Sequence, residues 1–77
     1  DAGYAQAVSA LRRLDESAPA DIRAIVHENM AAALEAVQQP AQARQHRTMA
    51  QAAWDTHGHE QSETRRLLHE NTLTTLH

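Results

Sequence analysis

The sequence predicts an all-α protein of four helices in up-down order, and three observations carry that prediction. Ala, Gln, Glu, Arg and Leu dominate the chain, which has no Phe and one each of Trp and Tyr. Helices favour the residues that are abundant here, and strands the β-branched and aromatic ones that are scarce. Apolar residues recur at helical spacing in segments separated only by short breaks containing Pro or Gly. The chain also nearly repeats itself at an offset of 42 residues: Ile25-Val26-His27-Glu28-Asn29-Met30-Ala31-Ala32-Ala33-Leu34 recurs as Leu67-Leu68-His69-Glu70-Asn71-Thr72-Leu73-Thr74-Thr75-Leu76.

Between 21–35 and 63–77, Arg23/Arg65, His27/His69, Glu28/Glu70, Asn29/Asn71 and Leu34/Leu76 are identical. Self-similarity at such a period marks stacked helical units that cannot bury their apolar faces alone. The other reading is coincidence between two helices of similar composition.

The first helix is expected over 4–16, with Tyr4, Ala7, Val8, Leu11 and Leu14 on one face. Pro19 ends it, because proline disfavours helix at the residue before it. The second runs from about 20 to 38. Asp21 sits near its positive end, and Ile22, Val26, Met30, Ala33, Leu34 and Val37 form its face, with Ile25 alongside. Gln38-Gln39-Pro40 is a tight turn, so the third helix, about 41–55, is predicted to lie antiparallel to the second. Its apolar side is sparse: Ala43, Ala50, Ala53 and Trp54, with Met49 beside them. Trp54 is expected as a plug in the core. Thr56-His57-Gly58-His59 reads as a break with Gly58 as the stop. Ser62 or a neighbour then caps a fourth helix over 61–76, whose apolar content is Leu67, Leu68, Leu73 and Leu76.

Within this pattern, Met30-Ala31, then Leu34, then Ala43 and Ala50 seven apart resemble a tetratricopeptide repeat. Ala7, Leu11, Leu14 and Pro19 fit the same spacing in a preceding unit. The chain departs from the family's pattern at Gln38-Gln39, where a turn glycine is usual, at His27, where a tryptophan is usual, and at Asp55, where a proline is usual. The unit is longer than the family's typical one and looks like those of kinesin light chain arrays. The resemblance spans the whole chain as one domain: a half repeat over 1–19, a full repeat over 20–58 and the first helix of a further repeat over 59–77. Ala7, Pro19, Ala31, Leu34, Ala43, Ala50 and Trp54 are its structural positions. It implies a solenoid of helix hairpins whose concave face binds peptides or protein segments. Arg23, His27, Asn29, Arg65, His69 and Asn71 would then line that groove.

Composition narrows the function classes. The net charge of −3 gives no electrostatic reason to expect nucleic acid or an anionic membrane. Arg12-Arg13, Arg44/Arg47 and Arg65-Arg66 are each balanced by nearby acid and read as solvated helix faces. A DNA-reading helix with Arg44, Gln45, Arg47 and Thr48 is disfavoured by the same charge. With no cysteine there is no disulfide and no thiolate metal site. His57-Gly58-His59 offers at most two ligands from one segment, short of the three or four a zinc site needs. No nucleophile with its base and oxyanion donors stands out, so neither enzyme activity nor a cofactor is expected. No apolar run reaches the roughly 18 residues that span a bilayer.

The functional expectation is therefore a protein–protein interaction module. It reads as a sensory or regulatory segment of a larger bacterial signalling protein, in the cytoplasm, binding a protein or peptide segment, a neighbouring domain or a second copy. The absence of an initiator Met suits an excised segment. The alternatives are a small tetratricopeptide-like secretion chaperone and a structural dimerisation module. Self-association is expected through Leu67, Leu68, Leu73 and Leu76, which occupy two sides of one helix.

Overall fold

The computed structural model describes the backbone of residues 2–76 and the side chains of 2–71. All its regular structure is helical: α1 (Ala2–Arg13), α2 (Ala20–Ala36) and α3 (Pro40–Leu76). The expected all-α class holds. The expected four helices do not: the third and fourth are one continuous helix of 37 residues. At 1.5 Å per residue it is about 55 Å long, and it sets the long dimension of a molecule measuring 59 × 20 × 16 Å.

The break expected at 56–59 fails for a physical reason. A glycine stop of the kind expected there works by taking the left-handed conformation. Gly58 does not take a positive φ. The residue that does is Gln38, at φ 63°. There the Gln39 N–H donates to the Leu34 carbonyl (2.8 Å) and the Gln38 N–H to the Glu35 carbonyl (3.0 Å). This is the paired bonding that closes a helix C-terminus. Past Gly58 the helix instead gains support from its own surface, where Arg66 pairs with Glu63 and with Glu70 at spacings that stabilise helices. The expected boundary between residues 58 and 59 therefore falls inside α3, and Ser62 caps nothing.

α1 is shorter than expected at its C-terminal end. Leu14 lies past the helix, its N–H donating to the Leu11 carbonyl. Asp15 then organises the turn: its Oδ1 accepts from the Ser17 N–H (2.9 Å) and hydroxyl (2.6 Å). Those two bonds hold its carboxyl below the ordinary aspartate value. α2 starts without a side-chain cap. Pro19 occupies that position, and its carbonyl accepts from the Arg23 N–H.

α2 is the central element, since α1 and α3 each pack against it and, among the described residues, not against each other. The face that it buries is the expected one only in part. Met30 and Leu34 are buried and Val26 and Ala33 half-buried, but Ile22, Ile25 and Val37 are 46%, 43% and 38% exposed, and Ala20, Ala24 and Ala31 are buried instead. Ala20, Ala24, His27, Ala31 and Leu34 follow alternating steps of four and three. So do Ala43, His46, Ala50, Ala53 and His57 on α3. These are the two sides of an antiparallel seam built as in coiled coils, and its small residues let the backbones approach. Met30 turns towards α1 instead, joining Ala7, Ala31, Leu34 and Ala43 in one cluster with Tyr4, Val8, Leu11 and Ala33 packed on it. Ala43 and Ala50 are both buried as expected, but Ala50 lies further along the seam, outside that cluster. Trp54 is no core plug. It is half-buried at the seam's edge, and its indole N–H donates to Glu28.

Candidate interaction site

Two regions of α3 have different chemistry. The first, facing α2, is a seam whose centre is polar. His27 and His46 face each other across it, Nδ1 to Nδ1 at 2.9 Å, with ring centroids 5.1 Å apart and planes inclined by 26°. Both rings are half-buried. Burial, then the neighbouring His46 and Arg23, lower the His27 pKa from its ordinary value of 6.5. On either side the helices are tied by polar links. Trp54 Nε1 donates to Glu28 at 2.6 Å, and Arg47 donates to Glu35 through Nε at 2.9 Å and through a terminal nitrogen at 2.6 Å. The Trp54 and His57 rings meet edge to face, with centroids 5.9 Å apart. A shallow cleft of about 280 Å³ opens beside the pair, lined by Arg23, His27, Met49, Ala52, Ala53 and Thr56.

The second region is the stretch of α3 past His57, which α2 is too short to reach. Its described side chains are exposed except for Glu63, which is half-buried. Leu67 and Leu68 are 53% and 62% exposed.

The six residues expected to line one groove fall into these two separate regions. Arg23 and His27 lie in the seam, where Arg23 Nε donates to the Ala18 carbonyl at 3.2 Å, and Asn29 is exposed on α2. Arg65, His69 and Asn71 are exposed on the far stretch of α3. Of the residues expected at a self-association surface, Leu67 and Leu68 are exposed, and Leu73 and Leu76 lie outside the residues described at side-chain level. Of the structural positions, Ala7, Ala31, Leu34, Ala43 and Ala50 are buried, while Pro19 is exposed.

His46 is the residue that sequence reasoning missed as a partner of His27. The four-and-three spacing on both helices, read antiparallel across the 38–40 turn, is the signal that finds it. Among the described residues no three His, Cys, Asp or Glu side chains are placed to hold a metal ion. No described helix is long and apolar enough to cross a membrane. No family model, curated protein or solved structure matches the chain.

Proposed function

We propose that this chain is a protein-interaction module, that the stretch of α3 past the hairpin is its docking element, and that a second copy of the chain occupies it. The observation that carries the proposal is adjacent leucines, Leu67 and Leu68, exposed on a helix that runs beyond α2, the element packed on it among the described residues. Charge supports a second copy as the occupant. Two antiparallel copies centred between Leu67 and Leu68 set Arg65 of each opposite Glu70 of the other, a self-complementary arrangement of the kind an isologous dimer needs. The tetratricopeptide-like reading belongs to the same proposal. It is supported by the short turn at 38–40 and by the burial of Ala31, Ala43 and Ala50 between α2 and α3.

Sedimentation across a wide concentration range tests it. The expected result is a mass that rises from one chain to two. Arg65→Glu should keep the chain monomeric by setting like charges opposite each other, and adding Glu70→Arg should restore the dimer. A constant single-chain mass overturns the self-docking assignment.

A further inference from the structure

We propose that the His27–His46 pair is a proton-operated latch on the α2–α3 hairpin, closed when the pair carries at most one extra proton and released when both rings are cationic. The geometry carries this. A hydrogen bond between two Nδ1 atoms at 2.9 Å needs a proton on one nitrogen and a bare lone pair on the other. A second proton removes the acceptor and leaves two cations with ring centroids 5.1 Å apart, in a seam that is partly closed to water.

The neighbouring carboxylates are bonded to groups other than the two rings. On α2, Arg23 adds a like charge that acts on His27, Glu28 is bonded to Trp54 and Asp21 accepts from the Ile22 N–H. On α3, Arg47 is paired with Glu35, and the cleft beside the pair is lined there by uncharged Met49, Ala52, Ala53 and Thr56. α1 packs on α2 through Tyr4, Ala7, Val8 and Leu11. Because α3 is held, among the described residues, by α2 alone, the seam is where a local charge becomes a change in the whole assembly of helices. The switch acts whatever partner the far stretch of α3 takes.

The direction follows from the protons bound. The unfolded chain takes up the His27 proton near 6.5 and the folded chain only at lower pH. The contribution to stability is thus complete above about pH 6.5 and is lost as the pH falls below it towards the folded value. Thermal unfolding of the intact chain, followed by circular dichroism between about pH 7.5 and about pH 5, is the experiment. The melting temperature should fall with pH. The fall should vanish in the double variant His27→Gln with His46→Gln and persist in His59→Gln with His69→Gln, which removes as many histidines from exposed positions outside the seam. No fall in the wild type, or an equal fall in the seam double variant, overturns the latch. Should that variant not fold, ring-nitrogen NMR on the wild type decides. His27 is expected to titrate below 6.5, and titration at or above that value overturns the proposal.

Discussion

His27 stacks on His46 in the α2–α3 seam, whereas His69, its equivalent 42 residues on, is exposed near the end of α3. The two copies of the Arg-His-Glu-Asn pattern are both helical, so the shared residues make a helix in either place. What differs lies just outside them. The seam positions Ala20 and Ala24 of the first copy correspond to Ser62 and Arg66 in the second. An alanine there lets a second helix approach. Arg66 instead fills that space with a long cation, which binds Glu63 and Glu70 on its own helix. The second copy therefore cannot repeat the first copy's packing, and the chain has no reason to turn back at Gly58. Continuing the helix costs little, because nucleation, the expensive step, is already met in the hairpin.

The sharpest way to break this contrast is to remove a leucine from each region. Leu34 is fully buried, so Leu34→Ala should cost about 2–5 kcal/mol. Folded domains have only about 5–15 kcal/mol in hand, and one this small sits near the bottom of that range. Leu67→Ala, on the exposed stretch, should stay within about 0.5 kcal/mol. Chemical denaturation of both variants at dilutions where the chain is monomeric checks this. Comparable losses would mean that the far stretch of α3 is packed in solution.

A second comparison sets small residues against each other. Ala50→Leu overfills a buried seam position and should cost about 1–3 kcal/mol. Thr64→Leu, fourteen residues on along the same helix and exposed, should be near neutral in a monomer. If Ala50→Leu leaves the melting temperature unchanged, the seam register described here is wrong.

The seam alanines and the α2–α3 turn were legible because both rest on local rules: small residues seven apart, and Pro40 suited to the first turn of a helix. The buried face of α2 was legible only in part, at Met30 and Leu34. Ile22, Ile25 and Val37 outrank alanine on any scale of hydrophobicity, yet they are exposed, because the buried seam residues of the neighbouring helix, Ala43, Ala50 and Ala53, are small and it approaches closest where α2 is also small. The expected end of α2, about residue 38, lies two residues past the observed one at Ala36, because Gln38 takes the left-handed conformation that closes the helix. The histidine pair needed the register of two helices at once, which no single segment carries. The far stretch of α3 was read as a separate helix because a His-Gly-His sequence weakens the helical prior, although nothing beyond it supplied a competing partner.

That last misreading yields the most discriminating small test, Gly58→Ala. Glycine in a helix interior is about 0.8–1.0 kcal/mol less favourable than alanine, and a Cβ added at Gly58 meets nothing within 4 Å. The substitution should therefore be free of steric cost. It should strengthen the junction between the two halves of α3, raising the helical signal while leaving the hairpin's melting temperature almost unchanged, because residue 58 lies past the buried part of the seam. Amide hydrogen exchange separates the two effects: protection should increase on the far side of residue 58 and stay constant at Ala43, Ala50 and Ala53. The opposite result is equally informative. If Gly58→Ala lowers the melting temperature, or reduces protection on the hairpin side, the glycine is serving as a bend in solution. The far stretch then folds back on the hairpin, and the contrast between a covered copy and an uncovered one no longer stands.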